Sequence, residues 1–154
     1  MEFLLFLSSI DKEILDLVYK ANFLVEENSP LCLLGKTYFG FLKKESKTMV
    51  ICSQNAMDVG GYSIPRIGRN EYNGQTRLYI RRALRHESVH VAQFCNNGQA
   101  LNMVEKDKMK LHPFKEKALA GSTKVSGNRE KEHEAYWMED RPNLVKSALK
   151  RFCF

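Results

Sequence analysis

The sequence predicts an α+β domain: an N-terminal helix, a small antiparallel sheet, a helix carrying a metal-binding motif and a C-terminal helical region. Three observations predict it. Apolar residues recur at helical spacing over residues 9–27 and again over 76–95. Two short runs rich in β-branched and aromatic residues, 36–44 and 48–53, lie between those helices. The 154 residues suit a single domain with a real core, and no repeat, low-complexity segment or linker divides them.

The elements follow in order. Met1 to Ile10 is apolar, with Phe3-Leu4-Leu5-Phe6-Leu7 at its centre. Glu2 stands where a secretory signal would be basic, no small-residue cleavage pattern follows, and a membrane span needs about 20 apolar residues. A packing or docking segment is expected. In the first helix Ile10, Ile14, Leu17, Val18, Ala21 and Leu24 share one side, and Asn28-Ser29-Pro30 ends it. Residues 36–44 read as a strand and 48–53 as its hairpin partner, joined by Lys43-Lys44-Glu45-Ser46-Lys47. Residues 58–74 are turn-rich, with a short strand around 62–67. The next helix, 76–95, contains no proline or glycine, with Thr76 as its N-cap and Asn96-Asn97-Gly98 as its stop. A short helix near 101–110 and irregular chain around Gly121 and Gly127 follow. The last helical region starts near Asn128 or Arg129, restarts at Pro142 and carries Leu144, Val145, Ala148 and Leu149.

A hydrophobic content of 44% with 27% charged residues is that of a soluble globular protein rather than a disordered or membrane one. The net charge of +6 favours acidic partners without selecting one. Arg77, Arg81 and Arg85 fall four apart as a basic stripe, while Arg82 lies one turn before His86, placed to meet an acidic residue or a substrate carboxylate. Cys32, Cys52, Cys95 and Cys153 show no C-x-x-C spacing, and reduced thiols in a cytoplasmic protein are expected.

The chemistry sits at Arg85-His86-Glu87-Ser88-Val89-His90. This is H-E-x-x-H inside a helix. Residues four apart share a helical face, so His86 and His90 can both offer a ring nitrogen to one Zn²⁺. Glu87, about 100° around the axis, flanks the metal as a general base. A catalytic zinc ordinarily has a third protein ligand, and Arg129-Glu130-Lys131-Glu132-His133-Glu134-Ala135-Tyr136-Trp137-Met138-Glu139-Asp140 is dense in candidates.

With His86-Glu87-Ser88-Val89-His90 followed by Glu132-His133-Glu134-Ala135, the chain resembles the gluzincin metallopeptidases at the superfamily level. The resemblance implies a minimal zincin-like catalytic domain spanning residues 1–154, in which a later helix supplies a glutamate ligand. On an E-x-x-A mapping that ligand is Glu132, and Tyr136 replaces the acidic or amide residue expected after the alanine. A thermolysin-like mapping makes it Glu134, with Met138 in the acidic position. Glu132 is placed ahead of Glu134, with Glu130 third, and the choice stays open.

The expected function is a zinc-dependent metallopeptidase in which Glu87 acts as general base on a zinc-activated water. Stabilisation of the oxyanion falls to His133 or Tyr136, ahead of His112 and Arg82. The resemblance also implies a peptide or protein substrate lying along a sheet edge, here assigned to 48–53. Two other readings compete: a non-catalytic zinc-binding module, and a basic nucleic-acid-binding protein with a coincidental motif. No nucleic-acid fold signature supports the latter.

Overall fold

The computed structural model describes residues 1–61 and 74–154. The expected strand at 62–67 lies outside the described residues. The class is α+β, a helical body with a small three-stranded sheet.

Ser8 opens helix α1 (Ser9–Lys20) with a capping box, its hydroxyl accepting from the Asp11 amide while the Asp11 carboxylate accepts from the Ser8 amide. The helix is shorter than the 9–27 expected. Asn22 adopts φ 65°, a left-handed turn that asparagine tolerates, and the chain leaves as strand β1 (Leu24–Glu27). Strands β2 (Gly40–Lys43) and β3 (Thr48–Ile51) form the expected antiparallel hairpin, with Phe41 opposite Val50. β1 adds to β3 in parallel, giving the order β1-β3-β2. β3, expected to be the free edge, is therefore central and wholly buried; β2 is the edge nearest the metal helix.

The N-terminal segment packs. The Glu27 carboxylate accepts from the Glu2 and Phe3 amides, each at 2.9 Å, and Phe3 and Phe6 enter the core. Helix α2 (Ser53–Gly60) was not foreseen, since its eight residues are too few for a clear period. Gly60 is required where α2 meets the next helix: a Cβ there would lie 2.6 Å from the Thr76 nitrogen.

Helix α3 (Gly74–Cys95) runs through the middle of the molecule, packed against α1, α2, β2 and two later helices. Thr76 is not its N-cap. It lies inside α3, fully buried, and its hydroxyl donates to the Gly61 carbonyl of the α2 end. The arginine stripe is partly absorbed, because Arg85 and Arg81 converge on fully buried Asp11 of α1, at 2.7 and 3.6 Å. The helix expected near 101–110 reduces to a turn at Lys106–Lys108. Instead, helix α4 (Pro113–Ser126) runs through Gly121, where irregular chain is expected from the sequence. Its start is capped by His112 with Pro113 in the first turn, and Gly127 closes it in the left-handed region. Helices α5 (Arg129–Met138) and α6 (Pro142–Cys153) follow as expected, with Asn128 capping α5.

The cysteines are not reduced. Cys32–Cys52 and Cys95–Cys153 are disulfides, with Cα separations of 5.6 and 5.1 Å that suit the bond. Their sequence separations of 20 and 58 hide them from any local spacing rule. No helix among the described residues is long and apolar enough to cross a membrane.

Candidate metal centre

Two helices build the site. The apolar side of α3, with Ile80, Leu84 and Val91 fully buried, fixes its rotation and leaves His86 and His90 facing α5. The α5 helix presents Glu132 to them. Glu132 Oε2 lies 3.3 Å from His86 Nε2, and Oε1 lies 3.1 Å from His90 Nε2. One ligand atom from each of the three residues falls within 4.8 Å of the others, a spread that fits one metal ion.

Glu134, the alternative, points elsewhere. Its carboxylate accepts from the Leu101 and Asn102 amides and from Gln93 Nε2, closing the loop after α3. The two glutamates lie on opposite sides of α5, as a two-residue step on a helix requires.

The hydrogen bonds behind the rings decide what the rings can do. Gln93 Nε2 donates to Glu134 Oε1 and to the Lys131 carbonyl, which leaves Gln93 Oε1 facing His90 Nδ1 at 2.7 Å. An amide oxygen only accepts, so His90 Nδ1 carries the proton. On His86, Nδ1 faces Glu139 Oε2 at 3.1 Å and likewise donates. Both neutral rings therefore aim an Nε2 lone pair at the Glu132 carboxylate. Three acceptors facing one another need a cation between them, either a proton or a metal. In the metal-free protein a proton fills the gap. Burial works against the charged His86 ring, yet its bonds to Glu132 and Glu139 override burial and hold its pKa well above the usual histidine value. Burial also opposes ionisation of Glu132, and the bonds to His86 and His90 win there too, lowering its pKa.

Residues 3–154 match the model of a family described as a domain of unknown function, DUF8637. The chain belongs to that family. No curated protein and no solved structure matches it.

Glu139 is the residue that sequence reasoning missed. It stands seven places after Glu132, two helical turns on and so on the same side, whereas the resemblance directed attention one turn on, to Tyr136. Its other oxygen takes a 2.9 Å bond from Lys115 Nζ, which also donates to Asp140 at 2.6 Å and to the Tyr136 carbonyl at 2.9 Å. Asp140 in turn holds Arg82 at 2.8 Å, so Arg82 is engaged by an acidic partner.

The remaining candidates divide. Glu87 is buried in the wall of the cleft, beside the rings but outside the ligand group. Burial raises its pKa, with His86 and His90 opposing. Gly40 of β2 lies against it: a Cβ there would sit 3.0 Å from Glu87 Cγ. Tyr136 lines the same cleft, its ring edge-on to His86 at 4.5 Å and its hydroxyl 2.5 Å from Ser122 Oγ. His133 is not brought to the site; its ring bonds the Met109 carbonyl on another side of α5. His112 serves as the cap of α4.

The cleft over these groups holds about 550 Å³, bounded by residues 37–42 on one side and by α4 and α5 on the other. Its far end holds Lys44 and Lys131. Burial lowers the Lys131 pKa and the adjacent Lys44 amine lowers it further, with Glu132 opposing.

Proposed function

We propose that this chain is a zinc-dependent metallopeptidase in which His86, His90 and Glu132 hold the ion and Glu87 is the general base. One observation carries the reading: the Gln93 and Glu139 bonds leave two Nε2 lone pairs and a carboxylate converging on one point, with a carboxyl group not committed to that point beside them. Two nitrogens and an oxygen suit zinc. No fourth histidine, cysteine or acidic side chain among the described residues joins the group, which favours a reactive centre over a closed structural one. When bound, zinc supplies Lewis-acid polarisation and acidifies water.

The chain's own residues do the rest. An extended peptide pairs with the free edge of β2, which runs past Glu87 at Gly40. Glu87 accepts a proton from the attacking water and delivers it to the leaving amine. The Tyr136 hydroxyl, released from Ser122, donates to the oxygen on which charge develops. The two disulfides, which use all four cysteines, support work in an oxidising compartment rather than the cytoplasm.

The test is metal analysis of protein purified without chelator, together with peptide hydrolysis by Glu87→Gln and His86→Ala. One zinc per chain is expected, retained by Glu87→Gln with hydrolysis lost, and lost in His86→Ala. Full hydrolysis by Glu87→Gln, or absence of stoichiometric zinc, refutes the reading.

A further inference from the structure

The long axis of the cleft can be traced through paired residues. On one wall Phe39 stacks on Tyr79 of α3 at 4.7 Å, Gly40 stands against Glu87, and Lys44 reaches Lys131. On the other wall Arg82 meets Asp140, His86 meets Glu132, and Gln93 meets the Lys131 carbonyl. β2 thus runs alongside α3 in the same direction, and α5 runs against it. The cleft begins among aromatic rings near the start of α3, crosses the metal ligands and ends at two ammonium groups.

Those two amines differ from the third lysine that lines the cleft, Lys115. Lys115 is paired with Glu139 and Asp140, whereas among the described residues Lys44 and Lys131 have no carboxylate in ion-pair contact. Lys131 is half-buried with one donor on the Gly98 carbonyl at 3.0 Å, and Lys44 comes to it from the β2–β3 turn. Two cations side by side with no carboxylate in ion-pair contact are unfavourably placed, and both line the cleft. Lys131 is also next in sequence to the ligand Glu132, which ties the amine's position to that of the metal centre.

We infer that Lys44 and Lys131 form a carboxylate-binding subsite that selects peptides with an acidic group a fixed distance from the bond to be cut. The inference rests on the peptidase reading for the word cut, not for the subsite itself. Lys44 lies four positions after Gly40, the residue beside Glu87, which at roughly 3.3 Å per extended residue is about 13 Å. Lysine side chains span part of that distance. The selected group is therefore an Asp or Glu side chain two to four residues from the scissile bond, or a terminal carboxylate at the same reach. A carboxylate offers an oxygen to each ammonium and a charge that offsets theirs, whereas an amide isostere has one acceptor oxygen, no charge and an NH₂ that opposes the second amine.

The experiment uses extended fluorescent peptides in matched Glu and Gln versions, with the residue walked along the sequence, each with a free or an amidated C-terminus. Binding is read by anisotropy on zinc-loaded Glu87→Gln protein, and cleavage sites are mapped with wild type. The Glu version, or the free terminus, is expected to bind about tenfold more tightly at one register. In Lys44→Gln/Lys131→Gln the ratio falls toward one, and in Lys131→Glu it inverts in favour of a Lys peptide. Loss of the preference on amidation assigns the terminal carboxylate; its survival assigns the side chain. Equal binding of Glu and Gln versions at every register, or a preference that persists in the double variant, overturns the subsite. A preference without cleavage of any peptide retains the subsite and sinks the peptidase reading; cleavage without a preference does the reverse.

Discussion

Glu139→Gln is a small change in shape with a large effect, because of what stands on either side of it. In wild type one carboxylate oxygen accepts from His86 Nδ1 at 3.1 Å and the other from Lys115 Nζ at 2.9 Å, with the side chain buried. A glutamine has one oxygen and one NH₂. If the oxygen faces His86, the NH₂ faces an ammonium; if the amide flips, the NH₂ faces the ring N–H. Either way two donors oppose each other. The ring can escape only by moving its proton to Nε2, which removes the lone pair aimed at the metal. Loss of such a supporting partner costs about 10–100-fold in metal affinity, or about 1.4–2.7 kcal/mol.

The assay is competition for zinc against a chelator of known affinity, with wild type, Glu139→Gln, Lys115→Met and the double variant. Removing the ammonium lets the glutamine oxygen settle on His86, so the double variant should bind zinc more tightly than Glu139→Gln alone. A coupling of about 0.5–3 kcal/mol is the range for residues in one hydrogen-bond network. Zinc affinity of Glu139→Gln within about threefold of wild type would refute the assignment of the ring's tautomer to Glu139. Strict additivity of the two changes would sink the donor-against-donor account.

Three further outcomes are expected. Gly40→Ala sets a methyl 3.0 Å from Glu87 Cγ and 3.3 Å from its Oε1, displacing the base by a few tenths of an ångström. Hydrolysis should fall by about tenfold or more while zinc content stays at one per chain, and unchanged turnover would remove Gly40 from the account. For chelated protein, the raised His86 pKa contributes stability below the unfolded value of about 6.5 that is lost as pH rises through the folded value. The lowered Glu132 pKa contributes stability above about 4.5 that is lost as pH falls. The Tm of chelated protein should therefore fall above about pH 6.5, and excess zinc should abolish that fall; a Tm that climbs between pH 6 and 8 in chelator contradicts it. Asp11→Ala strands the Arg85 guanidinium, only 12% exposed at its side chain, and should cost about 3–5 kcal/mol, read as a Tm drop of about 10 °C. A drop under about 2 °C would show that the Asp11 pairs are not holding α3.

What the sequence made legible was whatever repeats locally. The period of α3 places His86, His90 and Gln93 on one strip, but nothing in the sequence tells what the Gln93 amide bonds. The choice between Glu132 and Glu134 could not be read from α5, because both are buried and only the loop amides of Leu101 and Asn102 distinguish them. Glu139 was not legible because it lies two turns beyond Glu132, whereas the family pattern places an acidic or amide residue one turn beyond. β1 was lost because Leu24 continues the apolar stripe of α1, although Asn22 ahead of it is a helix stop. Neither disulfide leaves a local trace: Cys95 and Cys153 meet only because α3 packs on α6.

These hidden features are also what keeps the centre in shape. A domain of this size has limited core to hold a long helix against rotation, and the two histidines tolerate little of it. Arg85, directly before His86, is tied to Asp11 of α1. Cys95, five places after His90, is tied to Cys153 of α6. In the chain-entropy account a loop of 58 residues is worth about 4 kcal/mol of unfolded-state restriction and one of 20 about 3 kcal/mol. The shorter loop contains β2 and so fixes the wall that carries Gly40 against Glu87. Each ring is then oriented from behind by a group that does not depend on the ion. Rings already held by the rest of the fold need draw little folding energy from an ion, whereas a structural zinc supplies that energy. On the proposed reading, such support suits an ion that acts as a reagent of the cleft rather than as a staple of the fold.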